Sequence, residues 1–199
     1  TIGGYSGGPE GSAITAVAEI MAAYVIARPM TFSMYPVNLH SGVSSDKWTI
    51  WMSSMASLAF KAAGYDLMLA MYRGAAAGPC TEMLCDEIAA QTIAHTASGY
   101  SFIYGPVGCS MIKTDAFSGM EARILCDISR AAAGMSLSDA NEIAMQLNAD
   151  YEQDVMAKNA PEGKSFLECC DEKTLTPSKE YLTLWEKKKE QLSKMGLNI

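Results

Sequence analysis

Few side chains in this sequence have the type and placing that chemistry on a small ligand demands, and most sit where an apolar run gives way to a turn. Tyr72 and Tyr104 close or adjoin two such runs, DLMLAM and SFIYGPV, and Tyr35 lies within a third, TFSMYPVNL. A phenol at such a point can hydrogen-bond a small polar ligand or pack beneath a neighbouring loop. Cys80 and Glu82 follow in the segment AGPCTEM. Glu82 can face a ligand, but a carboxylate in the first turn of a helix is also favoured by the helix dipole. The other carboxylates of these turns, Glu10, Asp46, Asp115 and Glu121, share that second reading.

Metal and nucleotide chemistry are weakly signalled. Cys80, Cys85, Cys109 and His40 all come from turns or the helices they enter and could gather around zinc. No C-x-x-C or H-x-x-x-H pair anchors such a site, so no metal is assigned. The GGYSGGPEG run resembles a phosphate loop only in glycine content: it has neither the P-loop lysine nor a G-x-G-x-x-G after a complete strand. It reads as a permissive turn. His95 falls on a mid-helix apolar face and the adjacent pair Cys169–Cys170 lacks a metal spacing, so both read as buried or capping residues.

These turns belong to a repeating pattern that must position them. The chain opens on what reads as the end of a buried strand, a glycine-rich turn over Gly3 to Gly11, and a helix from Ala13 to Ala27. The spacing then predicts a short strand within Thr31 to Leu39, cut off by Pro36, and a broad apolar helix from Asp46 to Ala63 before Gly64. Next come a strand at Asp66 to Met71 and a helix at Thr81 to Ala97. A strand at Ser101 to Val107 leads to a helix opened by the capping box Ser118-Gly119-Met120-Glu121. Two further helices, Ser138 to Met156 and Pro177 to Lys194 with Thr176 as its cap, follow without a strand.

The expected fold is therefore α/β, with four β/α units over 1–134 and a helical extension over 135–199. Four such units are half of an eight-stranded β/α barrel or a small open sheet covered by helices, and pattern alone does not separate the two. In either fold the ligand-facing turns are those at the C-terminal strand ends: Gly3 to Glu10, Tyr35 to Ser45, Tyr72 to Glu82 and Tyr104 to Ser118.

Bulk properties narrow the function. A charge of −7 over 199 residues and a pI near 4.8 disfavour nucleic acid, whose phosphates are bound mainly by Lys and Arg. The one basic cluster, Lys187 to Lys189, alternates with glutamates and reads as a solvated helix face. No apolar stretch is long enough to span a membrane, and no secretion signal opens the chain. Six irregularly spaced cysteines suit reduced, buried thiols and hence the cytoplasm. With 49% hydrophobic and only 19% charged residues, much of the surface is expected to meet a partner.

Taken in order, GGYSGG at 3–8, AGPCTEM at 77–83, TASG at 96–99, SGMEAR at 118–123 and the stretch PEGKSFLECCDEKTLTPSKEYL resemble the C-terminal portion of the pyrrolysine-containing monomethylamine:corrinoid methyltransferases of methanogens. The resemblance covers nearly the whole chain. It implies a β/α barrel that moves the methyl group of monomethylamine to the reduced cobalt of a separate corrinoid protein, which docks over the barrel mouth. The corrinoid (cobalamin) belongs to that partner, and this chain is expected to bind no cofactor itself. It further implies a homo-oligomer.

The family's pyrrolysine and pocket glutamates correspond to positions upstream of Thr1, so the chain alone is expected to be inactive and no catalytic residue is carried over. Just before AGPC the resemblance implies a glutamine and a tyrosine near the pocket, where this sequence has Tyr72, Arg73 and Gly74. Tyr35, Tyr72, Cys80, Glu82 and Tyr104 are left as candidates for the pocket wall or partner face. Two other readings stay open: a relative that takes its methyl group from another small donor without pyrrolysine, and a non-catalytic assembly module.

Overall fold

The computed structural model describes all 199 residues. In chain order, α1 spans Pro9–Ile26, β1 Phe32–Met34, α2 Lys47–Ala62, β2 Leu69–Gly74, α3 Glu82–Ser98 and β3 Phe102–Val107. Four helices follow: α4 Gly119–Ala132, α5 Leu137–Ala157, the single turn α6 Phe166–Cys169 and α7 Lys179–Lys194. The three strands are parallel in the order β1-β2-β3. Each βα pair is therefore a crossover unit that returns the chain to the same sheet.

Sequence signals locate most helix ends for local reasons. Asp46 caps α2 by accepting from the amides of Trp48 and Thr49, and the Thr81 hydroxyl accepts from Leu84 at the start of α3. Gly99, at φ +88°, closes α3 in a left-handed conformation that costs glycine nothing. Ser118 and Glu121 complete the predicted capping box of α4. Helix α1 begins four residues earlier than expected because Pro9 occupies its first turn, where the missing amide hydrogen is not needed. Ser178, not Thr176, caps α7.

The strands depart further from expectation. The chain start contributes a single parallel bridge, Ile2 to Asn38, rather than a fourth strand. The regular part of the second segment is three residues long and stops before Pro36. Strand β2 begins at Leu69, not Asp66, and runs through Tyr72, Arg73 and Gly74, which sequence placed in a loop. The reason is Arg73, whose side chain is fully buried on the helix side of the sheet. A charged residue suggests a turn in one dimension but becomes part of a buried strand once α3 lies over it.

Only one face of the sheet is covered. Met34, Leu69 and Met71 pack beneath Ile20 of α1 and Met52, Ala56 and Phe60 of α2. A second and larger core is organised by α3, which is buried on nearly every side. It joins Leu84, Ile88 and Ile93 of α3 to Ile124 and Ile128 of α4, Leu147 and Tyr151 of α5 and Tyr181, Trp185 and Leu192 of α7. A helix enclosed in this way needs apolar, small or hydrogen-bonded residues all round, and α3 combines Leu84, Ile88, Ala89, Ala90 and Ile93 with the buried polar Asp86, Glu87 and Thr92, whose partners are Lys188, the Ala76 and Ala77 amides and Arg73.

Two details correct the sequence reading of the C-terminal helices. Lys188, expected on a solvated face, is buried and holds Asp86 of α3 with Nζ 2.8 and 3.0 Å from the two carboxylate oxygens. Its neighbours pair at the surface, Lys187 with Glu82 and Lys189 with Glu186. The stretch from Lys158 to Lys164 acts as a strap over the strand-end loops: Gly78 donates to the Pro161 carbonyl at 2.9 Å and Lys164 donates to the Pro79 carbonyl at 2.9 Å.

The strap leaves no room at residue 78, where a Cβ would lie 1.7 Å from the Glu162 carbonyl oxygen and 2.7 Å from the Cys109 sulfur. Gly78→Ala is expected to lower stability by roughly 1–3 kcal/mol and to make the strap the first segment cut by trypsin, at Lys158 and Lys164. Gly119→Ala, where a Cβ meets nothing, is the control. Denaturant midpoints and limited proteolysis of the two variants check this.

Candidate functional site

The face of the sheet turned away from the helices carries the side chains that alternate with the core: Ser33 and Tyr35 from the first strand segment, Tyr72 from β2, Phe102 and Tyr104 from β3. Residues two apart share a face of a strand, so this set follows directly from Met34, Met71 and Ile103 facing the helices. Three of the five residues proposed from sequence come together here. The ring of Tyr72 stands edge-on to Tyr35 at 5.1 Å between centroids and tilts against Tyr104 at 5.3 Å. Both spacings are those of favourable aromatic pairs. The Tyr104 hydroxyl is hydrogen-bonded to Ser33, and Tyr72 donates to the Met111 sulfur at 3.6 Å.

Backbone irregularities make this packing possible. Tyr72 pairs with Tyr104, but two residues later Gly74 pairs with Val107, so β3 carries one extra residue around Gly105 and Pro106. Gly105 takes φ +82°, and a Cβ there would lie 2.8 Å from the Tyr72 ring. A Cβ at Gly74 would lie 2.9 Å from the Tyr35 hydroxyl. A bulge next to a site commonly re-aims a side chain. Here the bulge and two strand glycines clear the space that the rings of Tyr35 and Tyr72 occupy.

The loop after β3 completes this end of the sheet. Cys109, Ser110 and Met111 all have φ between +51° and +62°, a single left-handed turn without glycine. Each such residue costs about 1–2 kcal/mol. The turn is held from outside: Cys109 and Ser110 donate to the carbonyls of Ala77 and Ala75 at 3.0 and 2.8 Å, and the Cys109 thiol donates to the Glu162 carbonyl at 3.1 Å. It thereby brings Met111 to the Tyr72 hydroxyl.

The other two sequence candidates lie elsewhere. Glu82 forms an ion pair with Lys187 of α7, and that hydrogen bond and charge hold its carboxyl below the usual range. Cys80, at φ +63°, packs by the C-terminal segment near Glu180, Lys164 and Cys170; burial pushes its thiol upward. Asp46 and Glu121 are spent on helix caps, Glu121 also accepting from the Tyr181 hydroxyl at 2.5 Å. No three His, Cys, Asp or Glu side chains come together in a way that could hold a metal ion.

Ser33, Phe102, Met111 and the two glycines were not singled out from sequence. Strand alternation could have found the first two. The glycines and Met111 depend on a bulge and a left-handed turn that leave no periodic mark. Burial raises the Tyr35 phenol, with the neighbouring Tyr72 adding to the effect.

Compared with known proteins, residues 1–197 match the family described as Monomethylamine methyltransferase MtmB. The chain belongs to that family. Over 195 residues it is 35% identical to Monomethylamine methyltransferase MtmB1 of Methanosarcina acetivorans and 34% identical to MtmB of Methanosarcina mazei, in each case over 98% of this chain and 42% of the relative. The crystal structure of the Methanosarcina barkeri MtmB superimposes with a TM-score of 0.92 at 34% identity, over the whole of this chain and 43% of that one; a crystal structure of the hydroxylamine MtmB complex matches equally. The chain thus spans about two fifths of the length of these relatives, matching their C-terminal part, and shares their α/β fold.

In this MtmB-family chain the site rests on Glu87. Its fully buried carboxylate accepts from the Ala76 and Ala77 amides at 2.7 and 2.9 Å and from the Ser45 hydroxyl at 2.5 Å, tying the loop after β2 to α3 and to the loop before α2. Burial outweighs these bonds and pushes its pKa up to about 7. A carboxyl raised above its ordinary value holds its proton more tightly in the folded state than in the unfolded chain. Its contribution to stability is then full below pH about 4.5 and is lost as pH rises towards 7. Denaturant unfolding at pH 5 and pH 8 is expected to show a loss on the order of 3 kcal/mol from this group. Glu87→Gln, which mimics the protonated form, is expected to flatten that dependence.

Proposed function

We propose that this chain is the C-terminal half of an eight-stranded β/α barrel enzyme that transfers the methyl group of monomethylamine to the cobalt of a cognate corrinoid protein. The observation that carries the reading is the likeness to the MtmB relatives, which extends over 98% of the chain in sequence and all of it in structure. On this reading the parallel sheet is one wall of the barrel, residues 135–199 form a helical extension packed outside it, and the open face bearing Tyr35, Tyr72 and Tyr104 looks into the barrel. Ligands of such folds sit at the C-terminal strand ends, where these tyrosines lie.

The reaction divides the work between proteins. The corrinoid partner's cobalt(I) would supply the electron pair of the new carbon–cobalt bond, and the carbon–nitrogen bond of the protonated amine, monomethylammonium, would break with ammonia as the leaving group. An amine is a poor leaving group, so the barrel must engage its nitrogen and hold the methyl in line with the metal. By resemblance to the family, those tasks fall to pyrrolysine and glutamates encoded before residue 1. This segment contributes the opposite wall of the pocket, part of the face on which the partner docks and contacts between copies of a homo-oligomer. The six free cysteines suit a reducing cytoplasm.

A second reading, a methyltransferase without pyrrolysine acting on another small donor, is favoured by one feature. Where the resemblance implies a glutamine and a tyrosine before AGPC, β2 presents Tyr72 and Gly74, and the Tyr35 hydroxyl reaches into the space above Gly74.

Both readings are tested by mixing the full-length protein with its reduced corrinoid partner and monomethylamine, and following methyl-cobalt formation by absorbance. Full-length protein is expected to methylate the corrinoid and residues 1–199 alone to leave it unchanged. Methylation with a different amine but none with monomethylamine would select the second reading.

A further inference from the structure

We infer that the buried guanidinium of Arg73 and the ring of His95 form an internal site for one small monovalent anion of the halide type, enclosed between β2 and the inner sides of α2 and α3. The site lies on the face of the sheet opposite the three tyrosines and does not depend on the reaction in which the chain takes part.

Arg73 is fully buried, yet only one of its side-chain nitrogens has a partner. Nη1 donates to the Thr92 hydroxyl at 2.7 Å, while Nε and Nη2 meet no acceptor. Those two are the parallel donors along one edge of the guanidinium, the edge that grips an anion as a fork. A buried cation ordinarily pairs with a carboxylate, and here none is free to do so. Asp46 caps α2, Asp86 holds Lys188, Glu87 takes the Ala76 and Ala77 amides, and Glu121 serves Ser118 and Tyr181. These four are the buried carboxylates of the chain, and none of its ion pairs includes Arg73. Burial lowers the Arg73 pKa only to about 9, so the group is charged at neutral pH. One anion at the fork meets the charge and both donors at once.

His95 sets the charge and adds a donor. It lies one turn along α3 from Thr92 and is buried, with Nε2 2.7 Å from the Ser53 hydroxyl of α2 and Nδ1 without a partner. Burial, and then the charge of Arg73, hold its pKa well below the ordinary value, so the ring is neutral. One cation beside a neutral ring balances a single negative charge, not two. When Ser53 donates to Nε2, the ring hydrogen sits on Nδ1, where an anion can accept it. None of the larger cavities opens on Arg73, so the space at the fork suits a single atom better than an oxyanion.

The test is thermal unfolding of the full-length protein in the sodium salts of chloride, bromide and gluconate at equal ionic strength, gluconate being too large to enter. Chloride and bromide are expected to raise Tm above its value in gluconate by roughly 2–6 °C. Arg73→Met is expected to abolish that difference and to melt in gluconate no lower than the parent, because the unpaired buried charge goes with the fork. His95→Phe is expected to keep the halide effect but to raise the concentration that gives half of it by roughly 3- to 10-fold. Crystals grown in bromide are expected to show its anomalous signal beside Nε and Nη2 of Arg73, which decides the question if the residue 73 variant does not fold. Equal melting in the three salts, a halide effect that persists in folded Arg73→Met, or ordered water in place of bromide at the fork would overturn the inference.

Discussion

The carboxylate of Glu87 lies on the amides of Ala76 and Ala77, in the interior, one helical turn inside α3. Two backbone donors in a tight turn must find acceptors once the turn is buried, because an unmet amide costs more than a hydrogen bond normally contributes. Glu87 meets both and reaches Ser45 as well, so one side chain joins the end of β2, the start of α2 and the body of α3. The level at which β2 ends, and hence where Tyr72 and Gly74 lie, follows from that anchor. Ser44 reinforces it by donating to the Gly74 carbonyl at 2.9 Å and accepting from the Gly74 amide at 2.7 Å.

From this anchor the strand-end region is assembled by backbone contacts in layers. The loop after β2 presents the carbonyls of Ala75 and Ala77, which hold the left-handed turn of Cys109 to Met111, and the strap closes over both through Pro161 and Glu162. The strain of three left-handed residues persists because neighbours on two sides determine it. The C-terminal helices therefore do more than decorate the fold: α7 fastens to α3 through the buried pair of Lys188 and Asp86, and the strap before it shapes the loops. A buried pair of this kind is weak evidence for net stability, but losing one partner would leave an uncompensated charge.

An open parallel sheet with exposed aromatic residues is unusual, since parallel sheets are ordinarily covered on both faces. The exposed face here is polar and aromatic rather than aliphatic, with Ser33, Tyr35, Phe102 and Tyr104 in place of the Met and Leu residues that pack beneath α1 and α2. Such a surface suits the lining of a pocket better than a core.

By itself the sequence determined six of the seven helices, several of their caps, the α/β class and the family, because those depend on local periodicity, capping chemistry and ordered motifs such as AGPCTEM and SGMEAR. It also brought forward Tyr35, Tyr72 and Tyr104, since strand ends in a βα repeat are where side chains reach a ligand. Tertiary structure alone decided that β2 continues through Arg73, that Lys188 is buried, and that Glu82 and Cys80 turn towards α7 and the C-terminal segment. It also decided that Gly74 and Gly105 make room for two rings. These outcomes depend on which distant segment lies over each residue: α3 over Arg73, α7 over Asp86, one tyrosine over each glycine. Contacts of that kind have no sequence period, because the partners are brought together only when the sheet and its helices close on one another.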